Sequence, residues 1–258
     1  MNGITAFRGK YALVTGASSG IGAAIAEELA KAGVHLILVA RDEVRLRRVS
    51  EALSNTHGAS VRTVVLDLGK EDAVNHLATQ IETWKIEIDL LVNAAGVSHR
   101  GPVGETDPSD LTKLIKLNVS ALTELTALYV SRMLKRGHGA IINIASTGAY
   151  MPVPYLAAYA ASKAYVLSFT KALWAETEGS GVRVVAVSPG RTRTPMTKGQ
   201  GSRLPADVAR TALRALGGRE PSVIDGSANA LSTRFIRLLP YKPFARFVLR
   251  VMRGQQLS

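Results

Sequence analysis

Short apolar runs alternate with longer amphipathic stretches along most of the chain. Tyr11 to Thr15, His35 to Ala40, Val61 to Leu66 and Ile88 to Asn93 are four such runs, each of strand length. Helical patterns from Gly20 to Ala32, Glu43 to Leu53 and Asp72 to Trp84 separate them. The alternation continues with Pro108 to Arg136, mostly helical with a break near Asn118. Then come a strand at Ala140 to Ala145, a helix at Ala157 to Glu178 and a strand at Val182 to Val187. A helix at Pro205 to Leu216 and a short strand at Ser222 to Ile224 close the series. Near-continuous apolar strands separated by helices predict a parallel sheet covered on both faces. The expected fold is α/β: one doubly wound domain with about seven strands, over residues 1–227. Residues 228–258 are expected to form a basic C-terminal extension.

Composition narrows the class. The chain has 258 residues, of which 47% are hydrophobic and 20% charged, which excludes wholesale disorder. It lacks an apolar run long enough to span a bilayer, and its first ten residues lack the apolar core of a secretion signal. With no cysteine, thiol catalysis and a disulfide scaffold are excluded, and the expected location is the cytoplasm. The five histidines are scattered, and none has zinc-ligand spacing. The net charge is +12, and six basic residues after Asp225, with no acidic one, supply half of it. A charge so localised argues against a nucleic-acid-binding surface spread over the domain.

The first strand runs into Thr15-Gly16-Ala17-Ser18-Ser19-Gly20-Ile21-Gly22. A strand, a glycine-rich turn and a helix N-terminus together make a phosphate cradle. Glycine lets the backbone approach the anion, and the helix end offers free N–H groups. Further along stand Asp67-Leu68, Asn93-Ala94-Ala95-Gly96, Asn118, Ser146, Tyr159, Lys163 and Ser188-Pro189-Gly190 followed by Thr194. Tyr159 and Lys163 are four apart in a helical stretch, so both fall on one face.

In type and order these motifs resemble the short-chain dehydrogenase/reductase family from about Lys10 to Ile224. The bacterial 3-oxoacyl and 17β-hydroxysteroid reductases are the nearest in look. The resemblance implies a Rossmann fold and an oxidoreductase that interconverts a carbonyl and an alcohol by hydride transfer. It makes Asn118, Ser146, Tyr159 and Lys163 the catalytic set. Gly16, Ser18, Ser19, Gly20, Ile21, Gly22, Asp67, Leu68, Asn93, Ala94, Gly96, Pro189, Gly190 and Thr194 become cofactor contacts, together with Tyr159 and Lys163. Tyr159 is implied as general acid/base, Ser146 as the group orienting the carbonyl, and Asn118 as holder of a water that links Lys163 to solvent. A homodimer or homotetramer built on the helices carrying Asn118 and Tyr159 is implied as well.

The second strand ends at Ala40, where NAD enzymes of this fold carry an acidic residue for the ribose hydroxyl. Arg41 follows, and its planar fork suits a phosphate, so NADP(H) is the expected cofactor rather than NAD(H). Arg45 is a second candidate, and pairing of Arg41 with Asp42 or with a neighbouring helix is the competing reading. Ser19 stands where many NADP enzymes of the family carry a basic residue. The loops Val97 to Val103, Thr147 to Leu156 and Arg191 to Leu204 are expected to choose the substrate. The apolar middle one (TGAYMPVPYL) favours a lipophilic carbonyl compound. A non-catalytic dinucleotide sensor on the same fold is the alternative function.

Pro243 to Gly254 is predicted to be an amphipathic helix, with Phe244, Phe247, Val248 and Val251 on one face and Arg246, Arg250 and Arg253 on another. Packing on its own domain or on a partner subunit is the first reading. Peripheral contact with anionic lipid is the second.

Overall fold

The computed structural model describes residues 3–236 and 239–254, with only the backbone of Tyr241, Arg253 and Gly254. Seven strands form one sheet: β1 (Tyr11–Thr15), β2 (His35–Ala40), β3 (Val61–Val65), β4 (Ile88–Asn93), β5 (Gly139–Ile144), β6 (Val182–Ser188) and β7 (Ser222–Ile224). Their order is β3-β2-β1-β4-β5-β6-β7, and every pairing is parallel. Crossovers place α1 (Gly20–Lys31), α2 (Glu43–His57) and α7 (Pro205–Leu216) against one face. On the other face lie α3 (Ala73–Thr83), α5 (Leu122–Arg136) and α6 (Ala157–Glu176).

Successive strand residues feed opposite cores. Ala12, Val14, Leu36, Leu38, Leu90 and Val92 pack on the first face, and Leu13, Ile37, Val39, Ile88 and Leu91 on the second. A strand buried on both sides has no polar position to spare, which explains the unbroken apolar runs. No described helix is long and apolar enough to cross a membrane.

The region expected to be one helix with a break is α4 (Pro108–Ile115), a π-helical stretch over Lys116–Ala121, and α5. Asn118 sits in the π-helical stretch, is fully buried, and bonds Ser162 of α6 (3.1 Å). π-turns gather at functional positions because they free backbone groups from the regular ladder. The extension holds two helices, α8 (Ser227–Ile236) and α9 (Tyr241–Gly254). α9 was expected from Pro243. α8 was not expected, because its large apolar residues Leu231 and Phe235 point outward and mark no buried stripe.

A half-buried ion pair ties the last loops together. Arg203 donates from Nε and one Nη to Asp225 just after β7, both at 2.9 Å, and Thr211 donates to the same carboxylate at 2.7 Å. Arg203 also bridges to Thr192, so the segment after β6 closes on itself. Burial pushes the Asp225 carboxyl up, but the Arg203 and Thr211 hydrogen bonds outweigh it and hold the group below its ordinary value. The pair therefore stabilises the fold fully above the unfolded carboxylate pKa of about 4, and the benefit disappears as pH falls through the lower folded value. Asp225→Asn is expected to cost about 2 kcal/mol in urea unfolding at neutral pH, discounted because Arg203 is partly exposed. In strong acid the variant and wild type should converge.

Candidate active site

In an open parallel sheet, the crevice lies where the crossovers reverse direction, at the carboxyl ends of the strands. That point falls between β1 and β4. A cleft of about 310 Å3 occupies it, lined by the glycine turn, the ends of β2 and β3, the loop after β4, and Thr194 to Met196.

The cradle is made of main chain. Gly16 has φ +66°, and a Cβ there would stand 2.8 Å from the Ala95 backbone. A Cβ on Gly22 would stand 2.4 Å from the Gly16 carbonyl oxygen. Ser19 precedes α1 in extended conformation and makes no capping hydrogen bond, which leaves the first-turn N–H groups directed at the cleft. A free helix N-terminus behind a bare glycine turn fits a pyrophosphate. The Thr15 hydroxyl accepts from the N–H groups of Ala94 and Ala95, both at 3.1 Å, and so joins the two glycine-bearing loops.

The end of the cleft beside β2 and β3 carries the charge expected there. Ala40, Arg41, Asp42 and Arg45 line this wall with Asp67 and Leu68. Asp42 caps α2 and pairs with Arg45 (3.2 Å), and among the described residues Arg41 has no ion-pair partner. Pairing of Arg41 with Asp42 is thus not what the structure shows. Arg45 takes that carboxylate, and Arg41 faces the cleft free. Asp67 accepts from the Gly69 N–H (3.0 Å), which holds its turn in place.

At the other end stands the tyrosine–lysine pair on α6. Lys163 Nζ lies 5.9 Å from the centre of the Tyr159 ring and donates to the Ile144 carbonyl at 2.8 Å. Lys163 is buried without a carboxylate, and desolvation pulls its pKa down to about 8. Burial pushes the Tyr159 phenol up, while a hydrogen bond with the Ser146 side chain works the other way. Ser146 directly follows the strand-5 segment, and its hydroxyl also accepts from the Gly148 N–H (3.1 Å). A Cβ on Gly96 would stand 3.2 Å from Asn118 Oδ1 and 3.5 Å from Lys163 Nζ, so the loop after β4 reaches both residues.

Five of the expected cofactor residues are not among those lining the cleft: Asn93, Tyr159, Lys163, Pro189 and Gly190. The Asn93 side chain turns into the core, where its amide donates to Thr126 (3.0 Å) and Asn143 (2.9 Å). Asn143 in turn donates to Thr170 of α6 (3.0 Å), so a buried polar ladder registers α5 and α6 on the sheet. Pro189 and Gly190 are not among the residues lining the cleft. The Pro189 carbonyl accepts from Thr147, and Asn229 of α8 packs against Gly190. The expected role of Asn118 also changes in detail. Its side-chain amide is engaged by both backbone groups of Val97 (each 2.9 Å) and by Ser162, so it clamps the loop after β4.

Sequence reasoning did not single out Leu117, Pro195 and Met196, which line the cleft. Their adjacency to Asn118 and Thr194 was the available signal. The middle substrate loop divides. Its start faces Ser146 and Tyr159, whereas Tyr150 to Pro154 line a second, apolar cavity of about 510 Å3 with Ala157, Ala161, Ala164 and Ala245. Ala157, Ala161 and Ala164 occupy the side of α6 away from Tyr159.

A family profile described as short chain dehydrogenase matches residues 10–204. An uncharacterized oxidoreductase of Staphylococcus saprophyticus is 37% identical over 221 residues, 84% of this chain and 94% of that one. The very-long-chain 3-oxoacyl-CoA reductase of Anas platyrhynchos is 36% identical over 195 residues, 74% of this chain and 62% of the duck enzyme. A short-chain dehydrogenase of Sphingobium yanoikuyae, solved with NADPH, superposes with a TM-score of 0.78 at 30% identity, covering 90% of this chain and 97% of that one.

With a parallel sheet, a glycine cradle at its switch point and a family match over three quarters of its length, the chain belongs to the short-chain dehydrogenase family. It is accordingly an oxidoreductase of the class that acts on CH–OH and C=O groups. Because the cradle has no spare volume, Gly22→Ala is expected to lower the unfolding free energy by about 2–3 kcal/mol in urea titration.

Proposed function

We propose that the protein is an NADP(H)-dependent reductase of lipophilic ketones or aldehydes, running also in the alcohol-oxidising direction, with Tyr159 as general acid/base. The observation that carries this reading is Tyr159 with the buried Lys163 ammonium 5.9 Å from its ring centre, beside the loop whose Gly96 reaches Lys163 and lines the glycine-walled cleft.

The residues present suit each part of the cofactor. Gly16 to Gly22 and the N-terminus of α1 would hold the pyrophosphate. Arg41, unpaired beside an uncharged Ala40, would take the 2′-phosphate. The relative solved with NADPH supports the same choice. The cofactor, when bound, supplies or accepts the hydride.

The chain's own residues manage the proton and the geometry. A phenol raised by burial stays protonated at neutral pH and serves as the acid for reduction. Ser146 offers its hydroxyl to the same oxygen and fixes the carbonyl against Tyr159. As the phenol gives up its proton, the Lys163 ammonium stabilises the phenolate across the shared face of α6. The side-chain amide of Asn118 is engaged by Val97 and Ser162, so we assign the water relay from Lys163 to the main chain of the π-helical turn rather than to that amide.

The lipophilic substrate class draws support from the relative named very-long-chain 3-oxoacyl-CoA reductase. We further propose residues 1–227 as the catalytic unit and 228–258 as an extension packed on its rim. A homodimer or homotetramer would bury the outer faces of α5 and α6, where Leu134 and Tyr165 are exposed. A cytoplasmic location belongs to the same reading.

The test is NADPH and NADH oxidation with small ketones, quinones, steroids and 3-oxoacyl thioesters. Tyr159→Phe is expected to lower kcat by about a thousandfold while NADPH binding persists. Arg41→Ala should raise the KM for NADPH about 30-fold and leave that for NADH unchanged. Binding without turnover on every class would favour the sensor reading instead. In the reductive direction, activity should be level in mild acid and fall with a midpoint near pH 8, as Lys163 loses its ammonium. Lys163→Arg, whose charge persists, should move that fall upward in whatever activity it retains.

A further inference from the structure

We propose that α8 and α9 form a docking surface for an anionic lipid bilayer, which holds the rim of the substrate loops against the membrane. The proposal does not depend on the identity of the substrate.

Three observations carry it. The first is charge. After Asp225 the sequence has Arg234, Arg237, Lys242, Arg246, Arg250 and Arg253 and no acidic residue. Of these, Arg234, Lys242, Arg246 and Arg250 have described side chains, and none has an ion-pair partner among the described residues. Arg237 and the Arg253 side chain lie outside the described set. The second is exposed apolar surface on the same two helices. Leu231 is 72% exposed, Phe235 63%, Phe247 64% and Val251 44%. Leu231 and Phe235 are one turn apart on α8, as Phe247 and Val251 are on α9, so each helix offers a short apolar edge. On α9 that edge adjoins Arg246 and Arg250, whose long stems allow apolar tips to enter the acyl boundary while the charges stay among headgroups.

The third observation is placement. α9 is fastened to the domain by its other side. Ala245 walls the apolar cavity beside Tyr150 to Pro154, and the Met252 carbonyl accepts from Arg100 in the loop after β4 (3.3 Å). The helix thus bridges two loops that follow β4 and β5, and a membrane meeting its outer edge would lie alongside them.

The charge selects among occupants. A second copy docking by the same surface would set the four described cations of each copy against those of the other, which is repulsive. A nucleic acid would leave Leu231, Phe235, Phe247 and Val251 without a partner. An anionic bilayer satisfies both charge and apolar surface.

The full-length protein is mixed with phosphatidylcholine vesicles, with and without phosphatidylglycerol, and separated by flotation. Co-flotation with the anionic vesicles alone, weakened by salt, is expected. Arg246→Gln with Arg250→Gln should lower the partition coefficient about 25-fold. Phe247→Ser, which keeps every charge, should lower it about tenfold. Both variants should keep the wild-type Tm, since these side chains are largely exposed. No co-flotation with anionic vesicles overturns the proposal, as does equal binding to neutral ones. Lipid-free self-association in sedimentation velocity that Phe247→Ser abolishes, with no vesicle binding, overturns it in favour of a second copy.

Discussion

Seven strands running in one direction place every strand's carboxyl end on a single edge of the sheet. All else in the molecule follows from that alignment. The loops after β1, β4, β5 and β6 become neighbours although they are far apart in sequence, and the crossover helices are forced onto both faces. Parallel pairing also demands that both faces be covered, and the two cores on either side of β1, β2 and β4 meet that demand. The edge that remains open is the one where chemistry is placed.

Two polar devices hold that edge in register. Asn93, Asn143, Thr126 and Thr170 link β4 and β5 to α5 and α6 inside an otherwise apolar layer. Arg203 and Asp225 do the same for the segment after β6. Neither network touches the cleft, yet each sets the position of an element that does. The lysine at the centre is held differently. Its ammonium has the Ile144 carbonyl and the face of Tyr159 for company, and no carboxylate. A counter-charge would have made burial easier and would have weakened the pull on the phenol.

Much of this was legible beforehand, for identifiable reasons. Strands buried on two faces write themselves as apolar runs, so β1, β2 and β4 were located to the residue. The glycine turn, Tyr159 and Lys163 were legible because backbone approach and helical spacing leave few substitutes. The inward turn of the Asn93 amide was not legible, because a motif records that a residue is present, not which way its side chain points. The engagement of Asn118 with Val97 was hidden for a related reason, since the partner is main chain and leaves no sequence mark. α8 was missed because its large apolar residues face outward, and the buried periodicity that betrays a helix is absent.

The turn from Gly16 to Gly22 is assembled from backbone so closely packed that neither glycine tolerates a side chain. The wall that would read the ribose, Ala40 and Arg41, is made of side chains on a separate strand end. Holding a dinucleotide and choosing between dinucleotides are therefore written in different alphabets. Point substitutions at the strand end can drift from one cofactor toward the other over generations without disturbing the seat, whereas the seat itself is nearly immutable. Cofactor preference becomes an inexpensive trait to revise, and cofactor use a permanent one.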